Sequence, residues 1–259
     1  MNKKELVIVA GAAGEIGSEY CKQITDNKID CIAIIRKKKL EFESKYLRQI
    51  VCNLEDDQEI NKAFSKIDFS KYHKIIYLHT IGIDKFDPRG YPKVQPMETI
   101  DPVVYNTNVN SFKHLLKFCL RKISIINQNK VKTHFRIAII AGVSDKYTPF
   151  VIESFCEAKF ILRQYIQSYI NLYSSWVSGL SINISSTITM SALKVRPHAN
   201  TKYWLTPKEV VKKSYKKLMS GHKSYNELDI IKHYPEFIED YYENNHLLYK
   251  KWSQETGIF

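Results

Sequence analysis

Short apolar runs recur along the chain, each separated from the next by a stretch long enough for a helix. Residues 6–10 (LVIVA), 31–35 (CIAII), 49–52 (QIVC), 74–79 (KIIYLH), 136–141 (RIAIIA) and 177–184 (VSGLSINI) are rich in β-branched residues. Near-continuous apolarity over four to eight residues marks strands covered on both faces rather than half-exposed hairpins. Residues 18–24 and 56–67 carry the spacing of amphipathic helices between them. Strands alternating with helix-length segments predict right-handed βαβ units, hence a doubly wound parallel sheet with helices on both sides.

Two regions interrupt this rhythm. Pro88, Pro92, Pro96 and Pro102 fall within residues 83–104, and four fixed φ angles with four missing donors predict a surface loop. Thr206, Pro207 and Glu209 have the order of a helix start, in which a hydroxyl caps, proline occupies the first turn and the glutamate reaches back. That helix is expected to run through Met219. From Tyr225 onward the chain carries Tyr234, Phe237, Tyr241, Tyr242, Tyr249 and Trp252, so residues 222–259 are expected to pack on the core or on a partner subunit.

At 259 residues and 44% hydrophobic content, the chain fits a single domain with one large α/β core. The five cysteines, Cys21, Cys31, Cys52, Cys119 and Cys156, form no CxxC pair and are odd in number, which points to a reducing, cytoplasmic setting. No leader pattern is evident, and no apolar run approaches the roughly 20 residues that span a bilayer, so no membrane association is expected. Lysine and arginine number 39 against 27 acidic residues, a net charge of +12. The basic residues are dispersed and accompany no recognition motif, so nucleic-acid binding is not expected. The eight histidines show no ligand spacing and no GxSxG turn occurs, which predicts neither a metal site nor a serine hydrolase.

The chemistry concentrates at the end of the first apolar run. Gly11, Gly14 and Gly17 in LVIVAGAAGEIG join a strand to a helix. Such glycines allow a tight turn, close approach of a pyrophosphate and close helix–strand packing, while the helix N-terminus aims free N–H groups at the anion. Residues Ala13, Glu15 and Ile16 complete the turn.

With these elements in place the chain resembles the short-chain dehydrogenase/reductase family, from the N-terminus to about Met219. The glycines match the family's GxxGxxG variant. The resemblance implies a Rossmann-like, three-layered single domain and an NAD(P)-dependent oxidoreductase. It implies that Asn53 and Leu54 take the place of the pair that holds the adenine, and that His79, Thr80, Ile81 and Gly82 replace the family's Asn-Asn-Ala-Gly turn. NTNVNSFKHL is similar to the family helix bearing a structural and catalytic asparagine, here Asn108. In RIAIIAGVSD and SFCEAKFIL, Gly142 stands where the family has serine, Phe155 where it has the catalytic tyrosine, and Lys159 on its lysine, which also bonds the nicotinamide ribose. A benzyl ring has no exchangeable proton, so the usual acid/base group is missing. As ordinary members of an amphipathic helix, Phe155 and Lys159 would need no such role.

Ser144 and Tyr147 are the substitute hydroxyls within reach of a substrate carbonyl, if they do not simply face solvent or cap a turn. Arg36 ends the second strand where no carboxylate is present to hold a ribose diol, which favours NADP over NAD, although a solvated basic turn accounts for it too. The resemblance places Thr189 against the nicotinamide amide, and a helix cap fits it equally. Lys194, Arg196, His198 and Lys202, within residues 188–206, suit a small-molecule substrate bearing an anionic group, or merely a basic loop. Two readings stay open, a working oxidoreductase with a rearranged site, acting on a polar or carbohydrate-derived substrate, and a catalytically silent dinucleotide-binding regulator or partner subunit. The family's pairing through the helices near Asn108 and Ser154 implies a homodimer or homotetramer.

Overall fold

β1 (Lys4–Ala10) runs through the interior of a seven-stranded parallel sheet, and its alternate side chains feed two separate cores. Leu6 and Ile8 pack on one face and Val7 and Val9 on the other, all buried, which is why the run is apolar at every position. The computed structural model describes residues 4–86, 99–129, 132–147, 150–221, 224–232 and 244–257. The remaining strands are β2 (Asp30–Ile35), β3 (Leu47–Val51), β4 (Tyr72–His79), β5 (His134–Gly142), β6 (Val177–Ile184) and β7 (Tyr225–Ile230). Their spatial order, β3-β2-β1-β4-β5-β6-β7, reverses direction between β1 and β4. A crevice at the carboxyl ends of the strands opens at such a reversal.

Helices cover both faces, giving three layers. On the Val7 side α1 (Glu15–Asp26) and α7 (Pro207–Met219) bury Tyr20, Ile24, Val210 and Leu218, and a Tyr20–Ser214 hydrogen bond joins them. On the Leu6 side lie α2 (Asp57–Phe64), α4 (Ser111–Gln128) and α5 (Glu153–Leu172), contributing Phe64, Phe112, Leu116, Leu162 and Ile166. The expected doubly wound, Rossmann-like sheet is therefore present. The capping box on α7 forms as its residue order predicts, with Thr206 N donating to Glu209 at 2.7 Å and Glu209 N to Thr206 Oγ1 at 3.2 Å. All five cysteines are buried and unpaired. Among the described residues no helix is long and apolar enough to cross a membrane.

In the C-terminal region, residues 225–230 form the seventh strand of the sheet, in register with β6. Its sequence, YNELDI, hides this because most of the strand is partly exposed and Glu227 and Asp229 bond polar partners instead of entering the core. A final helix, α8 (Asn245–Thr256), buries Leu248 and Trp252 with Ile152 and Cys156 in a third cluster. The expected loop over residues 83–104 gives way at its end to a short helix, α3 (Pro102–Tyr105), capped by Asp101 through Val103 N and Val104 N. Pro88, Pro92 and Pro96 lie outside the described residues. Within residues 188–206 the chain forms α6 (Met190–Val195) and a 3₁₀ turn, Thr201–Tyr203.

Phe112 is fully buried, stacked at 5.5 Å on Tyr77 and edge-on at 5.3 Å to His79. Phe112→Ala is expected to cost about 3–5 kcal/mol in denaturant unfolding; a loss below about 1 kcal/mol would contradict this packing role.

Candidate functional site

The turn after β1 packs tightly on itself and on residues Thr80 and Ile81 at the end of β4. Gly11 has φ +80°, and a Cβ there would fall 2.8 Å from Ile81 Cγ1. At Gly17 a Cβ would fall 2.4 Å from Gly11 O, so any side chain would push α1 off the strand end. Gly14 is less crowded, its nearest neighbour lying 3.4 Å away. It is the N-cap of α1, supplies no side-chain cap, and so leaves the N–H groups of the first turn for a ligand. Thr80 locks the turn from the next strand, its hydroxyl donating to Ala10 O at 2.8 Å and Gly11 O at 3.2 Å.

Two cavities meet over this turn, sharing Gly11, Gly14 and Ile81. The smaller, about 190 Å³, is lined by Ala13, Ile35, Arg36, Asn53 and Leu54 among others. The larger, about 370 Å³, takes in Glu15, Ile16, Gly17, Thr80, Gly82, Ser144, Lys159 and Thr189. Thr189 lines the larger cavity, and its Oγ1 accepts from Ala192 N at 3.2 Å as the cap of α6. Glu15 accepts from Met190 N at 2.7 Å and so ties α6 to the start of α1.

Lys159 projects from α5 into the larger cavity although its side chain is almost wholly buried. Its Nζ donates to Ile81 O at 3.0 Å and lies 5.2 Å from the Phe155 ring centroid. Burial, opposed by Asp145 and Asp84, lowers its ammonium to about 8. Across the cavity Gly142 ends β5. A Cβ at that position would fall 3.2 Å from Ser144 Oγ and 3.6 Å from Phe155 Cε1, so the Ser144 hydroxyl borders the space a serine at 142 would fill.

Three expected site residues do not line either cavity. His79 occupies an odd position of β4, which by strand alternation faces α4 and the Leu6-side core, and it is buried with Tyr77 Oη 3.0 Å from its Nδ1. Burial, reinforced by Lys159, holds its imidazole well below its ordinary range. Tyr147 lies past the 3₁₀ turn Ser144–Lys146, which aims it outward, 41% exposed. Asn108 sits in a π turn, Asn106–Asn110, that joins α3 to α4. Its amide donates to Val104 O at 2.9 Å and Ile83 O at 3.0 Å and accepts from Ile83 N at 3.2 Å, so it positions the backbone beside Gly82 rather than facing a ligand.

Two buried ion pairs escape a reading of the sequence. Asp145 accepts from Gly142 N at 3.0 Å and from Arg163 at 2.7 Å, and Arg163 also donates to Asn183 at 2.7 Å. Burial raises the Asp145 carboxyl, against the pull of Arg163. The one signal was Arg163 lying a turn beyond Lys159 on the same helix face. The second pair is Arg196 with Glu255 of α8 at 3.3 Å, and Arg196 lines the larger cavity beside Trp252. Lys194, His198 and Lys202 do not line it. Among the described residues no cluster of His, Cys, Asp or Glu is placed to hold a metal ion.

No protein-family model matches the sequence, and no curated protein matches it. Solved structures do. The 3-ketoacyl-(acyl-carrier-protein) reductase of Brucella melitensis complexed with NADH is 15% identical, with a TM-score of 0.66 over 87% of this chain and 96% of that one. A short chain dehydrogenase of Burkholderia cenocepacia in complex with NADP is 14% identical, with a TM-score of 0.64 over 86% and 88%. The aldohexose dehydrogenase of Thermoplasma acidophilum is 15% identical, with a TM-score of 0.66 over 88% and 93%. At these identities the likeness is one of fold.

Asp145→Asn removes the charge opposite a buried guanidinium and is expected to destabilise the protein by about 3–5 kcal/mol in denaturant unfolding. An unchanged midpoint would show that Asp145 does not hold the end of β5.

Proposed function

We propose that the protein is an NAD(P)-dependent oxidoreductase of the short-chain dehydrogenase/reductase type with a non-standard active site. The observation that carries this reading is the meeting of two cavities over the Gly11–Gly14 turn, with the Lys159 side chain lining the larger one. The residues present fit a dinucleotide. A Cβ at Gly11 or Gly17 would collide with the turn, and the uncapped start of α1 offers amides to a diphosphate. Asn53 and Leu54 would hold the adenine, Arg36 a 2′-phosphate, Lys159 the nicotinamide ribose and Thr189 the carboxamide. This assigns NADP ahead of NAD.

When bound, the nicotinamide supplies or accepts the hydride. The chain's own part is to orient the substrate carbonyl and to move a proton. Ser144 would donate to the substrate oxygen, a role supported by its hydroxyl lining the cavity beside the position where the family carries its serine. Phe155 offers no proton, whereas the Lys159 ammonium, lowered by burial to about 8, holds one at neutral pH and releases it readily. The Phe155 ring beneath that ammonium also favours a second reading, a dinucleotide-binding regulator that does not turn over.

Calorimetric titration across pH 6.5–9.5 tests the assignment. NADP is expected to bind more tightly than NAD, and its affinity to fall by about tenfold as pH rises through the Lys159 titration, because the cation that contacts the ribose is lost. Preference for NAD would overturn the role of Arg36, and absence of dinucleotide binding would overturn the whole reading. In a screen of carbonyl compounds, Ser144→Ala should lower turnover by about a hundredfold with NADP affinity unchanged. Tight NADP binding without turnover, followed by activity in Phe155→Tyr, would establish the regulator instead.

A further inference from the structure

The basic loop after β6 invites an anionic substrate, but folding disposes of its charge. Of Lys194, Arg196, His198 and Lys202, only Arg196 lines the larger cavity among the described residues. Its guanidinium is held between two indoles, 4.3 Å from the Trp204 centroid and 4.9 Å from that of Trp252. One nitrogen meets the Glu255 carboxylate at 3.3 Å and another donates to Ser186 Oγ at 3.1 Å. Both members of the pair are buried. A substrate carboxylate taking Arg196 would leave the buried Glu255 with Lys251 alone as counter-charge, at 3.8 Å and beyond hydrogen-bond distance, which is unfavourable.

The other charges in the cavity give an anion no better welcome. Lys159 is bonded to Ile81 O and, on the reading above, holds the cofactor ribose. The remaining ionisable groups lining the cavity, Glu15 and Asp84, are acidic. Beyond Gly142 the wall is apolar, formed by Ile152, Phe155 and Trp252, which α8 brings together in one cluster.

We propose that the substrate end takes an uncharged carbonyl compound with an aromatic or branched apolar flank, and that Glu255 sets this choice by neutralising Arg196. The proposal rests on the oxidoreductase reading and makes Glu255 a positioning residue, since it acts on the ligand through Arg196. It replaces the anionic substrate that the loop composition implied.

Acetophenone and benzoylformate share a phenyl ketone and differ by one carboxylate. Binding of each to the full-length, NADP-loaded protein, followed by calorimetry or ligand-observed NMR, needs no turnover. Acetophenone is expected to bind at least about tenfold more tightly. Glu255→Gln frees the Arg196 charge and should raise benzoylformate affinity by about tenfold while leaving acetophenone nearly unchanged. Equal or tighter binding of benzoylformate to the unmodified protein, or binding of neither probe, overturns the proposal, and this comparison stands even if the variant fails to fold. NADP affinity measured on the same sample separates the two levels. Intact NADP binding with the wrong order of probes sinks the substrate class alone, whereas failure to take NADP sinks the oxidoreductase reading and this proposal with it.

Discussion

The carbonyl oxygen of Gly11 is the point on which the site depends. It accepts from Gly14 N at 3.0 Å and from the Thr80 hydroxyl at 3.2 Å, and a Cβ on Gly17 would sit 2.4 Å from it. These contacts bind the end of β1, the start of α1 and the end of β4 into one rigid corner at the place where the sheet reverses direction. Because Gly17 meets backbone and Gly11 has a positive φ, a side chain at either position cannot be accommodated by rotamer change, and the space in front of Gly14 stays open. The two cavities share this corner, so their relative placement follows from it.

Around the corner, buried charge is arranged unevenly. Arg163 pairs with Asp145, which fixes the Gly142 amide, and Arg196 pairs with Glu255 between two tryptophans. Lys159 is different, because it meets a carbonyl and a ring face rather than a carboxylate at contact distance. A buried cation with only such partners titrates low, as its lowering to about 8 reflects. Charges that are paired hold the walls, and on the proposed reading Lys159, held by neutral groups, is the one that meets the ligand.

How much of this was legible in the sequence follows from how local each signal is. The βαβ rhythm and the glycine turn are written in contiguous residues, and the cavities form where those residues lie. The parity of β4 already placed His79 on the same face as Ile75 and Tyr77, although the family's turn, laid over residues 79–82, drew attention away from it. β7 was hidden because an edge strand that spends its carboxylates on Asn183 and Lys146 lacks an apolar alternation. The Arg196–Glu255 pair joins positions 59 residues apart, and no spacing rule reaches across that distance. Loop composition therefore counts a free charge at Arg196 that the folded chain pairs with Glu255.

The central claim is that the backbone amides at the end of β1 hold a dinucleotide diphosphate. Nitrogen-15 NMR of the full-length protein during NADP addition reads those amides one by one. The account predicts saturable shifts that are largest at Glu15, Ile16 and Gly17 in the uncapped first turn of α1, with Arg36 and Asn53 following in the smaller cavity. Saturable NADP binding that moves other amides and leaves these unchanged would contradict it.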